Sequence, residues 1–147
     1  MRVTILAIGH KMPSWIREGF TEYTRRMPPE VRVELVEVKP GKDKDDEGKR
    51  LLAALPDGGT LIALDERGKA VTTQGLSVML SHWMRDASHP VLAIGGADGH
   101  SDEVKRRAAR LISLSALTLP HQLVRVVVAE QLYRAWTILA RHPYHRE

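Results

Sequence analysis

Val91-Leu92-Ala93-Ile94 breaks without a spacer into Gly95-Gly96-Ala97-Asp98-Gly99-His100-Ser101, and this junction limits the possible folds more than any other stretch of the chain. A short apolar run that ends in a glycine-rich turn and reopens as a helix is how an open α/β sheet presents backbone N–H groups at the carboxyl edge of its strands. Ser101 fits the N-cap of the next helix. Asp102 and Glu103 fill its first turn, where carboxylates complement the positive end of the dipole and argue against a phosphate seated there. The turn has neither the spacing of a dinucleotide fingerprint nor the Lys-Ser/Thr ending of a P-loop, which counts against NAD binding and nucleotide hydrolysis. On its own the glycine pair reads either as a binding loop or as a tight connection.

The elements before this junction follow from the spacing of apolar residues. Val3 to Ile8, ending at Gly9, reads as a buried first strand. Pro13 and Ser14 introduce a helix over 15–26, with Ile16, Phe20, Tyr23 and Met27 on one face; Trp15, Phe20 and Tyr23 are expected in the core. Pro28 and Pro29 stop it, because neither continues the hydrogen-bond ladder. Val31 to Val38, with charges interleaved, makes a second strand nearer a sheet edge. The mixed charges of Gly41 to Arg50 read as a solvated loop or helix start, running into a short helical end at Leu51 to Leu55. Thr60 to Leu64 is the next buried strand, followed by a loop at Asp65-Glu66-Arg67-Gly68. Thr73 to Ala87 is a helix with Leu76, Met79, Leu80 and Trp83 inward, and Val91 to Ile94 is the fourth, central strand.

Arg110 to Ser115 can finish another strand. The run Leu114-Ser115-Ala116-Leu117-Thr118-Leu119 then enters Pro120 and a long helix. Alternating hydroxyl and leucine residues suit a loop that lines an apolar slot while its backbone faces inward, as recognition of an adenine edge requires; an ordinary buried connection fits the pattern equally. The helix over 123–141 sets Val124, Val128, Leu132, Ala135 and Leu139 on one face. Glu130 and Arg134, one turn apart, suit a surface ion pair. The chain closes on His142-Pro143-Tyr144-His145-Arg146-Glu147, a dense set of proton-transfer and anion-binding groups that is either functional or a solvated tail.

Composition narrows the class. The chain's 147 residues suit one domain, residues 1–147, with a core that needs no staples. Cysteine is absent, so no disulfide or thiolate metal site is expected and a reducing cytoplasm is suitable. No run is long enough to span a membrane and no signal peptide is visible, so a soluble cytoplasmic protein is expected. No His pairs with Asp or Glu at metal-ligand spacing, and no metal is expected. A net charge of +4 and a pI near 9.6 favour a polyanionic partner without separating RNA from DNA or an acidic protein.

Together, Ile94-Gly95-Gly96-Ala97-Asp98-Gly99, the run Ser113 to His121, the helix Leu123 to Trp136 and the tail His142 to Glu147 closely resemble the RlmH family of SPOUT methyltransferases. The resemblance extends over the whole chain, including Gly9-His10-Lys11-Met12-Pro13 and Gly19-Phe20-Thr21-Glu22-Tyr23. It implies an α/β fold, a parallel-type sheet flanked by helices with a deep trefoil knot in the C-terminal part, and a homodimer that binds S-adenosylmethionine. The implied reaction is methylation of N3 of a pseudouridine in helix 69 of 23S rRNA in the ribosome. Carried over by motif, the cofactor site comprises Leu64, Gly95, and Leu114, Ser115, Ala116, Leu117, Thr118 and Leu119. Tyr144, His145 and Arg146 resemble the residues that complete the active site, beside the partner subunit's cofactor. The family turn often reads Gly-Gly-Pro, whereas here Ala97 replaces the proline, so the loop is expected to be less rigid.

The reaction sets what the residues must do. The imide nitrogen is mostly protonated at neutral pH, and a positioned base contributes roughly 10²- to 10⁴-fold. His145 is the first candidate, since an unperturbed imidazole titrates close to neutrality. Tyr144 would orient it or bond a pyrimidine oxygen; Arg146 would stabilise the imide anion or hold a phosphate. Two rivals stand beside this reading: a SPOUT enzyme acting on tRNA, and a non-catalytic RNA-binding or ribosome-assembly protein. The second has no need of an adenine-sized slot.

Overall fold

In the computed structural model, which describes residues 1–146, five parallel strands lie in the order β2-β1-β4-β3-β5. They are β1 (Arg2–Ile8), β2 (Arg32–Val38), β3 (Gly59–Ala70), β4 (His89–Ile94) and β5 (Arg110–Ser113). The helices are α1 (Ser14–Thr24), α2 (Lys44–Ala53), α3 (Thr73–Arg85), α4 (Asp102–Arg107) and α5 (His121–Leu139), and a 3-10 turn follows at Pro143–Arg146. No helix among the described residues is long and apolar enough to cross a membrane.

Side-chain alternation along the strands feeds two cores. Val3, Ile5 and Ala7 of β1 face one core with Phe20, Leu76, Leu80, Val128 and Leu132, so α1, α3 and α5 cover that side. Leu6 and Ile8 face the other with Leu51, Val91, Ala93 and Val104, beneath α2 and α4. Strands β1 and β4 are covered on both faces, which is why they read as continuous apolar runs; β2 is an edge strand, as its interleaved charges anticipate. The arrangement is three layers, with the loops at the carboxyl ends of the strands gathered along one rim.

Two expectations are corrected, and for the charged run at 41–50 the helix-start alternative holds. Trp15 is 62% exposed, because the helical stripe runs through Ile16 and Phe20 and turns Trp15 outward. The charged run at 41–50 is mostly α2: the Asp43 carboxylate accepts the Asp46 N–H at 2.8 Å and caps it, and Glu47 and Gly48 are buried. Strand β3 does not stop at Leu64 but continues to Ala70, with residues 65–68 thrown out of register. Ile112 of β5 is the register partner of both Leu64 and Lys69. Gly68 lies so close to β5 that a Cβ there would stand 2.7 Å from the Leu111 carbonyl carbon.

Candidate functional site

The carboxyl ends of β3, β4 and β5 enclose a cavity of about 430 Å³, within the range of small-molecule and cofactor sites. One wall is the β3 extension, Leu64 to Arg67; a second is Ile94 to His100; a third is the loop after β5, with His121 and Val124 of α5 behind it. Of the residues carried over by motif, Leu64, Gly95, Leu114, Ser115, Leu117, Thr118 and Leu119 line the cavity. Ala116 is exposed and does not.

Local chemistry holds each wall. In the loop after β5, Ser113 Oγ donates to the Ser115 carbonyl at 3.0 Å, and the Leu117 N–H donates to Ser115 Oγ at 3.0 Å. These bonds fold the loop back on itself and leave Leu117 72% exposed at its tip. Thr118 Oγ1 donates to Glu66 Oε2 at 3.0 Å, a clasp between two walls. The glycine-rich turn is closed by the Gly99 N–H on the Gly96 carbonyl at 3.0 Å. Gly95 has no room for a side chain, since a Cβ there would meet the Gly99 carbonyl carbon at 2.8 Å.

Beneath that turn the His100 ring is buried, its Nε2 3.0 Å from the Ala93 carbonyl. A carbonyl only accepts, so Nε2 carries the proton. Burial pushes the His100 pKa below its ordinary value, against the opposing pull of the Ala93 carbonyl and Asp65. Burial alone would raise the Asp65 carboxyl; the Arg67 N–H at 2.8 Å and the Lys105 ammonium at 3.5 Å overcome it and hold the group below the ordinary carboxylate range. The cavity lining thus combines apolar residues with the charged side chains of Lys44, Asp65, Glu66, Arg67, Asp98 and Lys105. No group of three or more His, Asp or Glu able to hold a metal is found among the described residues.

Tyr144, His145 and Arg146 are not part of the cavity lining. The tail folds back on α5, where the Tyr144 hydroxyl donates to Glu130 Oε2 at 2.9 Å. Glu130 is nine residues along the helix from His121, about 14 Å at 1.5 Å per residue. Cavity and tail therefore occupy separate places on one chain. Among the described residues, His145 Nδ1 is buried without a hydrogen-bond partner. Glu147, the last residue of the tail motif, lies outside the described residues.

Sequence reasoning passed over two groups. Asp65 and Glu66 sit where β3 leaves register after Leu64, and Lys105 reaches Asp65 from α4, at the rim where the general rule for open sheets places ligands. Arg125 is fully buried, its Nη1 2.7 Å from Glu37 Oε2 and its Nη2 3.3 Å from the Gly9 carbonyl. An arginine alone in the apolar run Leu123 to Ala129 was the available signal.

The family model described as "Predicted SPOUT methyltransferase" matches residues 1–145. The protein named Ribosomal RNA large subunit methyltransferase H in Ralstonia pickettii (strain 12J) is 52% identical over 155 residues, covering 99% of each chain. Proteins of the same name from Ralstonia nicotianae and from Burkholderia ambifaria (strain ATCC BAA-244) are likewise 52% identical with the same coverage. With a five-stranded parallel sheet, a cavity at its carboxyl rim and a family match over nearly the whole chain, this protein belongs to the SPOUT methyltransferase family.

Proposed function

We propose that this protein transfers a methyl group from S-adenosylmethionine to N3 of a pseudouridine in helix 69 of 23S rRNA, acting on assembled ribosomes in the cytoplasm. The observation that carries the reading is full-length identity of 52% to proteins named as large-subunit ribosomal RNA methyltransferases. The cavity suits the donor. Leu64, Ile94, Leu114, Leu119 and Val124 offer apolar walls for an adenine ring, the backbone of residues 114–119 offers its hydrogen-bonding edge, and Asp65, Glu66 and Asp98 suit a cationic methionyl portion. Gly95, Gly96 and Gly99 of the turn line the cavity without side chains, so a ligand can meet their backbone. Bound there, S-adenosylmethionine supplies a methyl group already activated on a sulfonium.

The chain's own residues then have to orient the base and take the imide proton. His145 is the proton acceptor in this reading, supported by an Nδ1 that has no partner among the described residues. Arg146, exposed beside it, meets the imide anion or a phosphate. Because the tail sits along α5 rather than at the cavity, a second copy has to bring its tail over the first copy's donor site, and we propose a homodimer on that ground. The exposed apolar side chains of Trp15, Leu117 and Leu139 are consistent with surface awaiting a partner.

The test is transfer of labelled methyl from S-adenosylmethionine to ribosomes purified from cells lacking the protein, with the product nucleotide located by mass spectrometry. Label on the helix 69 pseudouridine is expected. Label on tRNA alone would overturn the substrate, and failure to bind the donor would overturn the enzyme.

A further inference from the structure

The tail is held at three points. The Tyr144 hydroxyl donates to Glu130 Oε2 at 2.9 Å, and the same oxygen accepts Arg134 Nε at 3.0 Å. The Arg134 guanidinium lies over the Tyr144 ring, 4.9 Å from its centroid, and the ring meets Tyr133 edge-on with centroids 4.7 Å apart. Hydroxyl, face and edge are each engaged, so the ring has one seat.

We infer that Glu130 is a positioning residue for methyl transfer, acting through Tyr144 to set where His145 and Arg146 stand. The inference rests on the reading of the tail as part of the active site. A 3-10 turn has three residues per turn, so consecutive side chains point about 120° apart. With Tyr144 turned onto α5, His145 and Arg146 leave in the other two directions, and Pro143 stiffens the entry by fixing its own φ. Tyr144 is thereby an anchor rather than a proton carrier. Its hydroxyl hydrogen is committed to a carboxylate; burial, and then that carboxylate, push the phenol well above its ordinary range. Among the described residues, His145 Nδ1 is a buried nitrogen of the tail with no hydrogen-bond partner. Glu130 and Arg134 are therefore more than a surface i,i+4 pair, because the carboxylate they share reaches a residue of the tail fourteen positions on.

The experiment measures steady-state methyl transfer to ribosomes from cells lacking the protein, together with donor affinity by calorimetry and Tm, for Glu130→Ala, Glu130→Gln, Tyr144→Phe and Glu130→Ala/Tyr144→Phe. Misplacing a reacting group by an ångström costs on the order of 100-fold. Glu130→Ala and Tyr144→Phe should each lower kcat towards that figure with donor affinity unchanged. Glu130→Gln, which keeps an acceptor oxygen, should fall between them and wild type. The double variant should be no worse than the lower single one, as for two residues acting as one unit. A merely structural Glu130 would lower Tm while kcat per folded molecule held. Should Glu130→Ala fail to fold, Glu130→Gln and Tyr144→Phe carry the same comparison. Unchanged kcat in these variants beside an active wild type, or losses that multiply in the double variant, overturn this inference alone. A wild-type protein that methylates no ribosome overturns the parent reading, and this one with it.

Discussion

Arg125 Nη1 and Glu37 Oε2 stand 2.7 Å apart, tying α5 to the carboxyl end of β2. Arg125 is fully buried, and its other contacts are the Gly9 carbonyl and the Met12 sulfur, so the guanidinium also fastens the loop that leaves β1. Removing one partner from such a pair strands the other. Arg125→Met should cost about 3 kcal/mol. Glu37→Gln should cost at least as much, because it leaves the fully buried guanidinium without its counter-charge, whereas the carboxylate stranded by Arg125→Met still reaches solvent. Urea unfolding checks this: Cm should fall with m unchanged. An Arg125→Met variant as stable as wild type would remove any structural role for the pair.

His100 predicts a pH dependence of stability. Its pKa in the folded protein lies below the ordinary 6.5 because the ring is buried. The unfolded chain therefore binds a proton that the folded chain resists. The contribution is fully present above the unfolded pKa of 6.5 and is lost as pH falls from there through the folded value. His100→Gln should flatten this part of the acid limb as pH falls below about 7. Denaturant titrations at several pH values in that window decide it, and parallel curves for the two proteins would sink the assignment.

The apolar runs gave away β1, β3 and β4 because strands covered on both faces must be apolar throughout. Ser101 was readable as a cap because capping is local, and its hydroxyl does accept the Val104 N–H at 3.2 Å. What escaped has more than one cause. Residues 65–70 look like a polar loop until β5 is beside them, forty positions later in the chain. Asp43 begins a helix inside a charge run, where mixed charges mask the cap. Trp15 reads as core from its side chain, yet the stripe of α1 passes one residue later. The cavity wall over 114–119 was legible from its motif; the seat of Tyr144 on Glu130, a tertiary contact, was not.

The glycine-rich turn yields a sharper test of the cavity. Gly95→Ala sets a methyl group 2.8 Å from the Gly99 carbonyl carbon and 3.0 Å from its oxygen, and backbone on both sides cannot swing away. Overpacking of this kind costs about 1–3 kcal/mol. Expressed at the donor site, that is about ten- to hundred-fold in affinity. Calorimetric titration with S-adenosylmethionine should register the loss while far-UV circular dichroism stays unchanged. Undiminished binding would place the donor away from this turn.

The Thr118–Glu66 clasp joins two walls that belong to different strands, so breaking it separates an effect on the ligand from an effect on the fold. Both side chains are exposed and the bond is 3.0 Å long; contacts of this sort between solvated groups contribute about 0–1 kcal/mol. Thr118→Val keeps the shape and loses the donor, and Tm should hardly move. The loop 114–119 is then tied at Ser113 and Ser115 but no longer to the β3 extension. A bound donor should leave up to about fivefold faster, the most that 1 kcal/mol can supply, whereas the association rate should stay the same because the open rim is unaltered. Glu66→Gln, which retains an acceptor for the hydroxyl, should change the off-rate less. Stopped-flow displacement of the donor reads both rates directly, and an off-rate unchanged in Thr118→Val would mean that the two walls hold the ligand independently.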